Sequence, residues 1–157
     1  MIRLGLLLLS LGLTMVFLSL TTISGNTQTT VNFLHSYGIY IPSFVTSVSV
    51  NLVENKSDVN ATILILNGSS ITTVTTPYSG CLSSGDYHFV VLKEINTTTG
   101  KALNTSQYYN VTLFFKITKA YVVSNPKAGL IQGVILSLVG SVLLVRDIGK
   151  RFYVKGC

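Results

Sequence analysis

Charge is scarce in this chain: only 10% of its 157 residues are Asp, Glu, Lys or Arg, against about 25% in ordinary soluble domains. The deficit is concentrated, because Leu4–Leu20 and Ala128–Val145 carry no charge at all. Histidine and cysteine are nearly missing too. His35, His88 and Cys81 stand far apart, without the spacing of a zinc or copper site. No glycine-rich phosphate loop, nucleophile elbow or triad-like motif is present. These absences predict no cofactor, no metal centre and no enzymatic activity of the chain on its own.

What is present is basic, with a net charge of +6. A nucleic-acid partner is not implied. Arg146, Lys150, Arg151 and Lys155 crowd the C-terminus directly behind an apolar segment, where the positive-inside rule places cytoplasmic residues. The lysines of the middle segment are scattered among Glu54, Asp58, Asp86 and Glu94 and form no basic stripe.

The two uncharged stretches read as membrane spans. About 20 apolar residues at 1.5 Å each cross the hydrocarbon core. Residues 1–23 therefore predict an N-terminal transmembrane helix. A cleaved signal peptide is the competing description, but the apolar run is longer than the usual h-region of roughly 7–15 residues, which favours an uncleaved anchor. Residues 128–145 predict a second span, with Asn125-Pro126 breaking the chain before it and Arg146-Asp147 ending it. Residues 24–127 then form an extracellular domain and 146–157 a basic cytoplasmic tail, so both termini lie inside the plasma membrane. Cys81 and Cys157 fall on opposite sides and form no intrachain disulfide. Cys81 reads as a buried small hydrophobe, with an interchain bridge or a ligand as alternatives. Cys157 is a candidate for acylation or a chance terminal cysteine.

Small residues mark the spans as packing surfaces. Gly129, Gly133, Ser137 and Ser141 recur every four residues and share one helix face, as close helix–helix approach requires. Gly5, Gly12 and Ser19 recur every seven. One span can fill only one such face of the other, so the stripes predict contact with further integral membrane subunits as well as lipid. Gln132 adds an amide that a partner would satisfy.

The middle alternates. Phe44, Val48, Val50 and Leu52, then Val59, Ala61, Ile63 and Ile65, then Tyr109, Val111, Leu113, Phe115 and Ile117 are apolar at period two, the signature of half-buried strands. Asn67-Gly68, Pro77, Ser79-Gly80 and Asn96–Gly100 supply turns. Leu82–Val91, with Gly85-Asp86 before Tyr87, resembles the corner and core strand of immunoglobulin-like β-sandwiches. That resemblance covers about ten residues and lacks the cysteine pair and tryptophan of antibody domains. It implies an all-β, Ig-like sandwich of about seven strands, with the Tyr87 hydroxyl bonded back to the corner backbone and Phe89 and Val91 in the core. His88 then lies on the opposite strand face with Val90 and Leu92.

Six N-glycosylation sequons begin at Asn55, Asn60, Asn67, Asn96, Asn104 and Asn110, all within the segment assigned to the outside. The expected modification is N-linked glycan, with Asn110 pointing away from the core. Few carboxylates and many glycans suit an acid-exposed, archaeal-type surface. The resulting functional expectation is a non-catalytic accessory or structural subunit of a larger membrane complex, respiratory or transport. A free-standing cell-surface glycoprotein for binding or shielding is the alternative, and a metal-binding electron-transfer subunit a third reading.

Overall fold

The computed structural model describes residues 2–25 and 27–154. It divides into a helical unit, up to Ile23 and from Tyr121 onward, and a β unit, Ser24–Ala120. Cys157 and Lys155 lie outside the described residues.

In the helical unit, α1 (Ile2–Leu20) and α2 (Pro126–Val154) pack antiparallel, and the two-residue strand β1 (Thr22–Ile23) follows α1. Asn125-Pro126 does more than break the chain. Asn125 accepts a hydrogen bond from the Ala128 amide on its Oδ1 at 3.2 Å, and Pro126 takes the first helical position, where its missing N–H is not needed. The helix therefore begins two residues earlier than residue 128. It also continues through Arg146 and Asp147 to Val154 rather than ending at Val145. A charge ends an apolar stretch but does not end a helix, since Arg and Lys are good helix formers. Both helices are long and apolar enough to cross a membrane, and Leu7, Phe17, Leu138 and Val142 are among the many aliphatic and aromatic side chains on their open surfaces.

The β unit is a sandwich of two sheets. Its strands are β2 (Gln28–Phe33), β3 (Ser36–Ile41), β4 (Val45–Glu54), β5 (Val59–Asn67), β6 (Ser70–Thr75), β7 (Tyr78–Leu82), β8 (Gly85–Asn96) and β9 (Val111–Tyr121). In one sheet β9 lies between β2 and β4, and β7 flanks β4; the other runs β3-β8-β5-β6. Among the described residues these strands pair antiparallel throughout. Successive strands cross from sheet to sheet except at the β5–β6 hairpin, which Gly68 turns with φ +56°. Eight strands connected this way form a jelly roll. This corrects the Ig-like expectation. An immunoglobulin sandwich keeps its last two strands, F and G, in one sheet, whereas here β8 and β9 lie in opposite sheets.

The core follows the alternation. Val48, Val50 and Leu52 on β4, Ala61, Ile63 and Ile65 on β5, Phe89 on β8 and Leu113 on β9 are buried between the sheets. Tyr87, Phe89 and Val91 point inward as expected. The Tyr87 hydroxyl, however, pairs with Ser83 Oγ at 3.3 Å rather than with backbone. His88 faces solvent, 3.7 Å from Asp86. Cys81 is exposed rather than buried, because Leu82 beside it takes the inward phase of β7.

Two bulges reset that phase. On β4 the register slips around Ser47, so that Val45 and Val48 both turn inward. On β8, Lys93 pairs with Thr62 and Val91 with Ile63, leaving Leu92 as an extra residue. An added residue on one strand flips every side chain beyond it to the other face.

Candidate functional site

The chain enters and leaves the β unit at one end of the sandwich, where Val45 pairs with Ala120 and Ile117 N–H bonds the Thr27 carbonyl. The chemistry collects at the other end, where β4 finishes, β5 starts, and the β8–β9 loop crosses over. Two of the four acidic residues of this unit are buried there: Glu54 is 9% exposed and Glu94 fully buried. Glu54 continues the inward series Val48-Val50-Leu52 at period two. Glu94 is inward only because of the Leu92 bulge; without it Lys93 would take that position.

Each carboxylate is half satisfied. Glu54 Oε1 accepts the Asn55 N–H at 3.3 Å and Glu94 Oε2 accepts the Tyr109 N–H at 2.9 Å. Glu54 Oε2 and Glu94 Oε1 are buried without partners. Burial, reinforced by the negative charge of Glu94 and only partly offset by the Asn55 amide, pushes Glu54 up to about 7. Glu94 is raised as well, chiefly by burial, against the pull of the Tyr109 N–H and of His35. The pair can therefore hold a proton at neutral pH, which an exposed glutamate does not.

Glu94 also organises the loop above it. Its main-chain oxygen accepts the Leu103 N–H at 2.9 Å while its side chain holds Tyr109. Tyr108 OH donates to the Leu92 carbonyl at 3.3 Å, and Lys56 Nζ donates to Tyr109 OH at 2.9 Å. That bond raises Lys56 above its usual range. A cleft of about 440 Å³ opens here between Lys56, Asn96 and the loop residues Ser106–Tyr109.

Five of the six sequon asparagines share this end: Asn55, Asn60, Asn96, Asn104 and Asn110, while Asn67 is the last residue of β5, at the opposite end. Asn55, Asn104 and Asn110 are exposed; Asn60, Asn67 and Asn96 are half-buried. Asn96 Oδ1 accepts the Thr98 and Thr99 amides at 2.9 and 3.0 Å, which leaves its Nδ2 free.

The helical stripes meet each other. A Cβ on Gly12 would stand 2.5 Å from Ser137 N, one on Gly133 2.8 Å from the Gly12 carbonyl, and Gly129 lies against Ser19. Gly140, outside the expected four-residue stripe, joins the contact, since its added Cβ would come within 2.5 Å of Leu9 N. Gly133 and Gly140 are seven apart, matching Gly5, Gly12 and Ser19, and that spacing is the seam of a left-handed crossing. The hydroxyls of Ser137 and Ser141 turn back to the carbonyls of Gly133 and Ser137 at 2.8 and 2.7 Å. Period seven was the signal for Gly140, as the inward phase was for Glu54.

No family model and no curated protein matches the chain. Similar solved structures include a de novo designed double-stranded β-helix, 13% identical over 59% of this chain and 97% of that one, with a TM-score of 0.35. Another is a cupin superfamily protein from Desulfitobacterium hafniense, 4% identical over 66% of this chain and 80% of that one, with a TM-score of 0.34. The expectation that this chain is not an enzyme is withdrawn, one of these likenesses being to a cupin superfamily protein. Neither likeness assigns an activity. Among the described residues no three His, Cys, Asp or Glu side chains gather as a metal-ligand set.

Proposed function

We propose that the chain is a two-span surface protein of the plasma membrane that presents a glycosylated jelly roll for binding or shielding, with both termini cytoplasmic. The observation that carries this reading is the mating of the two glycine stripes, Gly5-Gly12-Ser19 against Gly129-Gly133-Gly140. A hairpin that fills its own grooves needs no further helix, and the aliphatic surface that it leaves outward suits lipid. The sugars add to it: five sequons crown one end of the β unit, away from its two chain connections. The raised Glu54 and Glu94 suit an acidic exterior, since protonation removes their mutual repulsion.

Protease added to intact cells tests the topology. Loss of the middle segment with epitopes at both termini spared is the expected pattern. A mature protein beginning near Gly25 refutes the two-span arrangement.

One observation favours a second reading, the accessory subunit of a membrane complex. Gln132 is exposed on α2 among Ile131, Ile135 and Val139, and an amide in hydrocarbon is best satisfied by a neighbouring subunit. Native-gel mass determination after solubilisation separates the two readings: a larger assembly weakened by Gln132→Leu supports the second.

A further inference from the structure

We propose that the cleft beneath the β8–β9 loop is a saccharide-binding site. The proposal deepens the surface-binding reading by naming a ligand class.

The shape and chemistry of the cleft point to this class. At about 440 Å³ it falls within the roughly 300–1,000 Å³ of small-ligand pockets. Its wall combines two aromatic side chains, Tyr108 and Tyr109, with the amides of Asn96 and Gln107 and the Ser106 hydroxyl. A pyranose ring presents an apolar C–H face and an equatorial rim of hydroxyls. Aromatic faces receive the first, and groups that both donate and accept receive the second. No carboxylate lines the cleft, and its one charge, Lys56, is already engaged by Tyr109 OH at 2.9 Å. That disfavours cationic ligands, while Lys56, whose charge a neutral phenol does not cancel, remains a donor for a sugar hydroxyl or the carboxylate of an acidic sugar.

The wall is also preorganised. Tyr109 is held at its main chain by Glu94 and at its hydroxyl by Lys56, yet remains 37% exposed. The Tyr108 hydroxyl is tied to the Leu92 carbonyl. Asn96 is oriented by the two amides on its Oδ1, so its Nδ2 stays available as a donor or as the point of glycan attachment. Fixing these groups before binding lowers the ordering entropy that a ligand must offset. A fully buried glutamate with one orphaned oxygen is costly to the fold. Its use as the clamp for Tyr109 accounts for its presence, because local rules are broken where function asks for it.

The saccharide has two possible sources, the chain's own glycans on Asn96, Asn104 or Asn110, or a glycan from outside. The test uses the full chain, made in a host without N-glycosylation and held in a detergent without a sugar headgroup. N,N′-diacetylchitobiose and mannotriose are the probes, titrated by calorimetry. Saturable binding of at least one is expected, weakened about tenfold or more by Gln107→Ala and by Tyr109→Ala, the loss of about 1.4 kcal/mol of contact. Tyr40→Ala, at an exposed tyrosine on β3, leaves it unchanged. Gln107 is exposed and bonds nothing in the core through its side chain, so its variant keeps the fold even where that of Tyr109 does not. Binding of neither probe, or binding indifferent to Gln107→Ala, overturns the proposal. Native glycosylated material distinguishes the sources: binding that appears only after enzymatic removal of the glycans identifies the chain's own sugars as the occupant, and binding before removal identifies an outside glycan. The assay is independent of membrane topology, so its failure and that of the surface reading are separate.

Discussion

Neutralising Glu54 should stabilise the β unit, and most so above neutral pH. The folded value of about 7 against an ordinary 4.5 is a difference of about 2.5 pH units, worth about 3 kcal/mol at roughly 1.4 kcal/mol per unit. The sign follows from proton counting. Between pH 4.5 and 7 the folded protein keeps a proton on Glu54 that the unfolded chain has released. Stability contributed by this group is therefore complete below 4.5 and falls as pH rises towards 7, and raised Glu94 acts in the same direction. The variant Glu54→Gln keeps the shape and the acceptor for Asn55 N–H while removing the charge. It should gain about 3 kcal/mol at pH 8 relative to the wild type, gain little at pH 4.5, and show a shallower dependence between them. Urea denaturation in lipid nanodiscs, followed by tyrosine near-ultraviolet circular dichroism because the chain has no tryptophan, measures this. A wild-type stability that is flat or rising from pH 4.5 to 7, or a variant with the wild-type slope, refutes the reasoning.

Three further outcomes are expected. Gly140→Leu places a side chain against the Leu9 backbone and should pry the helices apart; a disulfide engineered between Ser19→Cys and Gly129→Cys should form in the otherwise native hairpin and be lost with Gly140→Leu. Phe89→Ala empties the centre of the core, where Phe89 is fully buried, and should cost about 3–5 kcal/mol in the same denaturation assay. Peptide mass spectrometry of native material should find sugar on at least three of the six sequons, with exposed Asn55, Asn104 and Asn110 foremost; six bare asparagines would remove the glycoprotein reading.

The two helices, the strand character of the middle and most of the core were legible from residue order alone, because each depends on periodicity within a single segment. Val48-Val50-Leu52 and Ala61-Ile63-Ile65 declare an inward face wherever their partners lie, and Asn125-Pro126 carries its own start signal. Glu54 was legible in the same way, as the next inward position of its strand. Sheet partnership was not. Whether β9 joins β8 or lies between β2 and β4 depends on contacts between residues far apart in sequence, and an immunoglobulin sandwich and a jelly roll share the same local alternation. Glu94 was hidden for a related reason: a single extra residue, Leu92, reverses the phase of β8, and the slip is visible only against the register of β5. In the helices, spacing of four on α2 and seven on α1 were both readable, but only docking one against the other brought Gly140 into the seam. Local pattern tells a side chain which face of its element it is on; only the neighbouring element, brought close by folding, decides what that face meets.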